Sequence, residues 1–320
     1  MEPLLAVTNL HTYFYTDAGV SRAAEGVSFA VYPGETLALV GESGCGKTVT
    51  ALSIMRLLPP AGKIVQGEIK FRGKNLLSLP EGRMRDIRGR DIGMVFQEPM
   101  SALNPLFTIG FQIGETISAH QKNVGGRHLR ERVIQLLQQV EIPSPEERYN
   151  DYPHNLSGGL RQRAMIAQAL ALSPGLLIAD EPTTALDVTI QAQILDLFLQ
   201  LQEKMQMAVL LITHDLGIVA EVADRVCIMY AGRIVEQASV LEIFNQAKHP
   251  YTQGLLNSIP GRRNPRERLL AIPGTVPHPA DKPAGCPFHP RCPQADKRCR
   301  EELPQVKQID EKHSVCCWKV

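Results

Sequence analysis

Short apolar runs that end in polar or glycine-rich residues recur along this chain. The clearest are residues 37–40, 92–96, 176–179 and 208–212. Runs this short are typical of strands buried in a parallel sheet, and such sheets bind ligands at the carboxyl ends of their strands. The pattern therefore predicts an α/β fold whose functional residues follow the runs.

Other segments alternate apolar and polar residues or repeat apolar residues at helical spacing. Alternation predicts strands in residues 5–10, 28–32 and 64–72, and a closing hairpin in 226–230 and 233–236. Residues 107–140 have apolar residues three and four positions apart and no strand signal. This stretch predicts an all-helical lobe inserted into the sheet domain, and a further helix is predicted near residues 191–201.

The run at 37–40 leads into Gly41-Glu42-Ser43-Gly44-Cys45-Gly46-Lys47-Thr48, which fits the pattern G-x-x-x-x-G-K-[ST] between a strand and a helix. In such loops, glycines allow backbone N–H groups to converge on phosphate oxygens. Lys47 is a candidate for the β- and γ-phosphates and Thr48 for Mg²⁺. The alternative is an ordinary Gly/Ser turn containing a lysine, which the flanking strand and helix disfavour.

Three other runs end in residues suited to hydrolysis. Gln97 is a candidate for sensing Mg²⁺ and the attacking water, Asp180 for Mg²⁺, and Glu181 for accepting a proton from that water. His214 is a candidate γ-phosphate contact if it shares a sheet edge with them, although a single strand-end histidine is more often structural.

A second anion site is predicted at Ser157-Gly158-Gly159, where Ser157 would cap a helix and the glycines leave its N-terminus uncovered. Taken alone, this sequence favours a simple helix cap. Phe14 could stack on an adenine, although an aromatic residue in a strand is more often part of the core.

The composition limits the classes of partner that this chain is expected to bind. Hydrophobic residues make up 44% and charged residues 21% of the 320 residues, as in a soluble globular protein. The 34 basic and 33 acidic residues give no electrostatic argument for nucleic acid. No segment reaches the roughly 18 apolar residues that would span a bilayer, and residues 1–5 are not the start of a signal peptide. We therefore expect a chain that stays in the cytoplasm and reaches a membrane only through a partner.

Taken in order, residues 41–48, Gln97, 156–162, 176–181, 185–187 and His214 resemble the ABC-type ATPase domain over about residues 4–245. The resemblance implies a RecA-like P-loop core with an antiparallel β subdomain and an inserted helical subdomain at about 98–168. It implies ATP and Mg²⁺ as cofactors, with Glu181, His214 and Gln97 catalytic and Thr48, Gln97 and Asp180 at the metal. The remaining nucleotide contacts that it implies are Phe14, Gly41, Ser43, Gly44, Cys45, Gly46, Lys47, Val49, Ser157, Gly158, Gly159 and Asp187.

The same resemblance implies that two such domains sandwich ATP head to tail. Residues 157–159 of one domain would then contact the γ-phosphate held by the other. The family's usual signature is Leu-Ser-Gly-Gly-Gln, whereas Leu160 occupies the glutamine position here. The hydroxyl and N–H donors remain, and only a contact of the glutamine side chain is in doubt.

Beyond residue 245, residues 249–256, 273–277 and 285–293 are similar to the C-terminal extension of the oligopeptide/dipeptide import ATPases. Residues 104–105 and 152–154 resemble the same subfamily. We thus predict an ABC-type ATPase domain at 1–245 and a small Cys-rich extension at 246–320. The implied partners are two transmembrane permease subunits, a second ABC ATPase subunit and, indirectly, an extracytoplasmic solute-binding protein, with the chain peripheral at the cytoplasmic face of the membrane.

Five of the seven cysteines lie in the last 35 residues. Their spacing is too wide for a usual zinc ribbon, whereas four scattered thiolates suit a [4Fe–4S] cluster, to which the subfamily resemblance also points. The predicted ligands are Cys286, Cys292, Cys299 and Cys317; the family's His-x-Val-x-Cys context selects Cys317 over Cys316. Unligated buried cysteines are the alternative, and for Cys45 and Cys227 packing is the favoured role.

The predicted function is ATP hydrolysis that energises import of di- or oligopeptides. Import of nickel complexes or another small solute remains open because the ATPase does not touch the cargo, and export is less favoured. A redox or iron sensor whose cluster regulates the ATPase is compatible with the transport function. A soluble ABC ATPase of nucleic-acid repair or translation is disfavoured, because those proteins usually carry two ATPase domains or a long coiled-coil insertion.

Overall fold

The computed structural model describes residues 2–17, 19–121, 124–184, 186–259 and 271–320. The chain forms two compact units. Unit 1 comprises residues 1–78 and 211–320, and unit 2 comprises residues 79–210. The predicted boundary at residue 245 lies inside unit 1, because residues on both sides of it share one core.

The described strands are β1 (Leu5–Thr16), β2 (Gly19–Val31), β3 (Thr36–Val40), β4 (Gly62–Phe71), β5 (Lys74–Asn75), β6 (Ile92–Val95), β7 (Leu176–Asp180), β8 (Ala208–Thr213), β9 (Arg225–Tyr230), β10 (Arg233–Ser239), β11 (Lys307–Gln308) and β12 (Ser314–Val315).

The described α-helices are α1 (Lys47–Met55), α2 (Glu81–Ile87), α3 (Pro99–Ala102), α4 (Ile109–His120), α5 (Gly126–Gln139), α6 (Pro145–Arg148), α7 (Gly158–Ala169), α8 (Val188–Met205), α9 (Leu216–Val222), α10 (Val240–Gln246), α11 (Pro250–Asn257) and α12 (Lys297–Glu301). Short 3-10 helices occupy Leu76–Ser78, Pro153–Asn155 and His289–Arg291.

Unit 1 contains an antiparallel sheet in the order β2-β1-β4-β5 and a second set of strands in the order β11-β12-β10-β9-β3. In the second set, β3 pairs parallel with β9, and β10 pairs antiparallel with both β9 and β12. The last pairing adds the chain's final hairpin to the edge of this set. β8 crosses the boundary of the two units.

Unit 2 contains the parallel pair β6 and β7 together with helices α2 to α8. The described part of the predicted lobe at 98–168 is helical, and Ile113, Ile117, Val133 and Leu137 are buried there as their spacing predicts. Gly110 allows α4 to lie against Tyr149, since a Cβ at this position would come within 2.4 Å of the ring. None of the described helices in either unit is both long and apolar enough to cross a membrane.

The first hairpin is longer than the sequence predicts. β1 runs to Thr16 and β2 begins at Gly19, so residues 11–15 belong to a strand. The reason is a register shift in the pairing of β1 between Thr8 and His11, with Asn9 at a φ of 49° opposite Gly67. A bulge of this kind breaks the two-residue alternation that a strand prediction relies on.

Candidate functional site

The loop between β3 and α1 is fixed by two glycines. A Cβ on Gly41 would lie 2.2 Å from the Met229 carbonyl oxygen, and one on Gly46 would lie 2.3 Å from the Ala23 carbonyl oxygen. Gly46 also has a φ of +108°, in the region that favours glycine. The loop therefore packs against the backbone of β9 and β2 at positions where another residue would not fit.

The lysine of this loop is held in place by the loop itself. The Lys47 side chain is buried, and its Nζ donates to the carbonyl oxygens of Gly41 at 2.8 Å and Glu42 at 3.2 Å. Ser43, Gly44 and Thr48 are exposed around it, and Val49 is half-buried in the first turn of α1. The loop thus presents a hydroxyl, an open glycine turn and a helix N-terminus, which together are suited to bind phosphate oxygens.

Cys45 in the same loop is a packing residue, as predicted. It is buried, and burial raises the pKa of its thiol to about 11. Cys227 is likewise buried, and burial raises its thiol pKa to about 12. Both thiols therefore stay protonated at neutral pH.

The other two predicted site residues of unit 1 lie on different elements. Phe14 is half-buried in β1, and its ring lies next to Gly62, whose Cβ would be 3.0 Å from Phe14 Cε1. His214 is exposed between β8 and α9, and the adjacent Asp215 caps α9 by accepting the Gly217 N–H at 2.7 Å. Neither placement assigns a role in binding, so adenine stacking and the γ-phosphate contact stay predictions.

In unit 2, the candidate general base is held by two neighbours. Glu181 follows β7, and its Oε2 accepts from Gln97 Nε2 at 3.1 Å and from Thr184 Oγ1 at 3.0 Å. Its backbone has a φ of +45°, which is uncommon for a residue other than glycine. Sequence reasoning missed Thr184, although its position three residues after the glutamate was a usable signal.

The remaining candidates of unit 2 lie at a strand end and two helix starts. Asp180 is buried at the end of β7. Ser157 caps α7, accepting the Leu160 N–H at 3.4 Å, and Asp187 caps α8, accepting the Ile190 N–H at 2.9 Å. A Cβ on Gly159 would come 2.8 Å from the Ile190 side chain, so this glycine allows α7 and α8 to approach closely. The predicted cap at Ser157 is confirmed.

The described residues contain no group of three or more His, Cys, Asp or Glu side chains placed to hold a metal ion. Mg²⁺ does not require such a group, because it binds one or two protein oxygens together with phosphate oxygens and water. Thr48, Gln97 and Asp180 offer a hydroxyl, an amide and a carboxylate, which are the hard oxygen donors that this ion takes.

The cysteines of the extension influence one another electrostatically. Burial, together with the nearby Cys299, Cys317 and Cys292, raises the pKa of Cys286 to about 11. Burial likewise raises the pKa of Cys292 and of Cys317. At three of the four predicted ligands, a backbone N–H of the second residue after the cysteine opposes this rise: Phe288 donates to Cys286, Gln294 to Cys292, and Lys319 to Cys317.

Cys317 and Cys316 have different surroundings. Cys292 and Cys299 raise the pKa of the Cys317 thiol, whereas Cys317 is the one cysteine that raises the pKa of Cys316. The Cys316 backbone N–H is bonded to the Val235 carbonyl oxygen at 2.8 Å. Of the two, Cys317 is thus the one whose pKa is affected by Cys292 and Cys299.

Comparison with known proteins gives two family matches. The ABC transporter family matches residues 24–184, and the family described as oligopeptide/dipeptide transporter, C-terminal region, matches residues 235–299. The two matches agree with the two resemblances read from the sequence.

Curated relatives are similar along almost the whole chain. A probable peptide ABC transporter ATP-binding protein, y4tR of Sinorhizobium fredii, is 54% identical, covering 99% of this chain and 95% of the relative. The dipeptide transport ATP-binding protein DppD of Bacillus subtilis is 51% identical with the same coverage. DppD of Escherichia coli is 48% identical, covering 98% of this chain and 96% of the relative.

Solved structures agree in fold. The ATP-binding cassette MJ0796, in a dimeric post-hydrolysis state with ADP and Pi, is 27% identical with a TM-score of 0.67, covering 74% of this chain and 98% of that one. CbiO1 of Clostridium perfringens, part of an ABC transporter complex, is also 27% identical, with a TM-score of 0.64, covering 77% of this chain and 92% of that one.

Proposed function

Because this chain belongs to the ABC transporter family, we propose that it is the ATP-hydrolysing subunit that energises import of di- or oligopeptides through a membrane transporter. The observation that supports hydrolysis most directly is the Glu181 carboxylate held by Gln97 and Thr184 at the end of β7. The peptide cargo is supported by relatives named for dipeptide and oligopeptide transport.

In this proposal, residues of unit 1 hold the triphosphate. The backbone of residues 41–48 cradles the phosphates, Lys47 compensates their charge, and Phe14 and Val49 complete the nucleotide contacts. Mg²⁺, when bound, neutralises charge on the β- and γ-phosphates. Thr48, Gln97 and Asp180 supply oxygen donors to the metal or its water shell.

Glu181 is the general base in this proposal. It accepts a proton from the attacking water while Gln97 and Thr184 keep its side chain oriented. His214 contacts the γ-phosphate. A second ATPase subunit supplies Ser157, Gly158, Gly159 and Asp187 in trans, so that hydrolysis requires a pair of subunits.

The permease docks on an exposed apolar patch of the helical lobe, which we define as Leu106, Phe107 and Phe111. Leu106 is 78% exposed, and the rings of Phe107 and Phe111 stack at 4.8 Å. Exposed apolar patches on a folded chain mark interaction surfaces. The chain would thus be peripheral at the cytoplasmic face of the membrane, and a solute-binding protein would act on it only through the permease.

The docking surface can be tested by substitution. We expect Phe111→Asp with Leu106→Asp to abolish co-purification with the permease subunits while leaving basal ATPase activity within about twofold, because a desolvated carboxylate opposes an apolar interface. Leu241→Asp is the matched control, since Leu241 is 71% exposed on α10 in unit 1. Equal loss of binding in the control, or retained binding in the double variant, contradicts the assignment.

We also propose a [4Fe–4S] cluster on Cys286, Cys292, Cys299 and Cys317. The electrostatic effect of these thiols on one another indicates that they lie near each other, and the N–H groups donated to three of them favour the thiolate form; both observations support a shared site. The side chains as placed do not form a closed ligand set, so no step of the reaction is assigned to the cluster. Anaerobic purification should give a brown protein that loses its colour in Cys299→Ser but not in Cys227→Ser.

The cargo and the coupling can be tested together. The chain is reconstituted with its permease and binding protein, and ATP turnover is measured with dipeptides, longer peptides or a nickel complex. Stimulation by peptides supports the proposal, whereas stimulation by nickel alone assigns another cargo. Full activity without any membrane partner would favour a soluble ATPase. Aerobic and anaerobic rates that differ would indicate that the cluster regulates turnover.

A further inference from the structure

The phosphate loop contains an acidic residue that the nucleotide site does not use. Glu42 directly follows Gly41, and its carboxylate is paired with the guanidinium of Arg291, Nη1 to Oε2 at 2.6 Å and Nη2 to Oε1 at 3.0 Å. The two residues are 249 positions apart in the sequence. This two-bond arrangement is the geometry in which an arginine binds a carboxylate most specifically.

Arg291 is itself held rigidly. Its Nε donates to the Pro273 carbonyl oxygen at 2.9 Å, and its guanidinium lies 5.7 Å from the centroid of the Tyr230 ring. The side chain is only 4% exposed. The hydrogen bonds to Glu42 raise the pKa of Arg291, so its charge is present at every physiological pH. Arg291 therefore acts as a fixed cation beside the loop.

A second residue from beyond position 245 holds the backbone of Glu42. The Glu42 N–H donates to the Tyr251 hydroxyl at 3.0 Å, and Tyr251 is buried against Tyr230 and Phe288. The side chain and the backbone of one loop residue are thus both bound by the C-terminal part of the chain. Arg291 lies in the short helix His289–Arg291, directly before Cys292.

The negative charge of Glu42 opposes the binding of a triphosphate to this loop. A loop that binds a triphosphate gains from every positive group and loses from a carboxylate placed one residue after its first glycine. An opposite charge in two-bond contact cancels most of that cost and fixes the carboxylate on the side of Arg291. Removal of Arg291 would leave the Glu42 carboxylate without this compensating charge.

We propose that Arg291 is a positioning residue for ATP: it neutralises and orients Glu42, and so makes nucleotide affinity depend on the folded C-terminal extension. The inference deepens the proposed function, because it rests on residues 41–48 being the phosphate cradle. It assigns to the extension a role at the nucleotide site that is separate from any cofactor on its cysteines.

The test is a charge-rescue series measured on the purified full-length chain. We expect Arg291→Ala to raise the Kd and the KM for ATP·Mg²⁺ about tenfold, the factor that corresponds to about 1.4 kcal/mol, with kcat within about twofold. Adding Glu42→Gln in the same chain should restore affinity to within about threefold of the parent, because the uncompensated charge is gone. Arg291→Lys should be intermediate, since it keeps the charge and loses the two-bond contact.

Two control variants separate the possible failures. Arg300→Ala removes an exposed arginine from α12 of the same extension and should leave the Kd unchanged. Lys47→Ala should abolish ATP binding; if it does not, the proposed phosphate cradle is wrong. If Lys47→Ala abolishes binding while Arg291→Ala has no effect, only the role of Arg291 is wrong.

A purely structural role of Arg291 has a different signature. Arg291→Ala would then lower the thermal midpoint, and Glu42→Gln would restore neither the midpoint nor the Kd. That outcome, with a double variant as weak in ATP binding as Arg291→Ala alone, overturns the proposal.

Discussion

At the residue scale, Glu181 combines an uncommon backbone conformation with a carboxylate that two other side chains bind. A φ of +45° costs on the order of 1–3 kcal/mol for a residue other than glycine, and it persists only where neighbours enforce it. Here Gln97 and Thr184 bind one carboxylate oxygen at 3.1 Å and 3.0 Å. These two contacts hold the carboxylate at the end of β7 in a fixed orientation.

We therefore expect Glu181→Gln to bind ATP and to lose about 10²–10⁴-fold in turnover, because the amide cannot accept the proton. ATP binding is measured by calorimetry and turnover by phosphate release, and the variant should also accumulate as a closed pair with ATP. Glu203→Gln, an exposed acid at the end of α8, is the control. Turnover of Glu181→Gln near the parental rate would move the base to another residue.

The loop glycines allow a test of steric packing in the phosphate loop, separate from the test of the catalytic residues. Gly46→Ala should lower the free energy of unfolding by about 2 kcal/mol or more and abolish ATP binding, because a Cβ would lie 2.3 Å from a carbonyl oxygen. Gly34→Ala is the matched control: Gly34 also has a positive φ, of +71°, but no described atom lies within 4 Å of its Cβ position. It should cost only the backbone strain of about 1 kcal/mol. Equal losses in the two variants would mean that the contact with Ala23 is unimportant.

At the element scale, the sequence predicted a strand or helix well where its hydrophobic periodicity and the polar residues at its ends indicate the same element. The strand ends near Gln97, Asp180 and His214 and the cap at Ser157 could be predicted directly, because a buried strand and a helix start each leave a local pattern. The length of β1 could not, since the bulge at Asn9 interrupts its alternation. The pair of Glu42 and Arg291 could not either, because nothing local to one residue indicates the other.

The N-cap residue of helix α11 is a buried, uncharged histidine. His249 caps the helix by accepting the Tyr251 N–H on Nδ1 at 3.0 Å, and burial lowers its pKa to about 3. The folded state therefore excludes a proton that the unfolded chain binds below about pH 6.5. The stability that this neutral histidine contributes is fully present above that pH and is lost as the pH falls toward 3.

His249→Asn should remove this pH dependence while keeping a capping oxygen. We expect the parent to lose about 1.4 kcal/mol of unfolding free energy per pH unit below pH 6 from this one group, and the variant to lose correspondingly less. Urea unfolding between pH 4.5 and 7 measures the difference, in which the titration of all other groups cancels. His278→Asn, a histidine of the same unit that caps no helix, is the control. Parallel curves for His249→Asn and the parent would show that His249 is not the group responsible.

At the scale of unit 1, the extension and the sheet share a single core. Tyr251, Leu256 and Phe288 pack in one cluster with Val40, Ile228 and Tyr230 of the sheet strands. The sequence suggested a small module that needs its own staple, because residues 246–320 contain little continuous apolar sequence. The sheet gives the extension further support: the extension adds aromatic rings to the core of unit 1, which local composition cannot reveal. We therefore expect the extension and the phosphate loop to unfold together.

Phe288→Ala tests this cooperativity. Phe288 is only 2% exposed and contacts the rings of Tyr230, Tyr251 and His249, so its truncation should cost about 3–5 kcal/mol. Trp318, the single tryptophan of the chain, reports the extension by fluorescence, and hydrogen exchange of the β3 amides reports the strand before the phosphate loop. Both probes should shift together in Phe288→Ala, and neither should move in the control Val306→Ala, where the side chain is 69% exposed. If the Trp318 transition shifts while protection of β3 stays at the parental level, the extension is a separate folding unit, and Arg291 could leave the phosphate loop without unfolding the core.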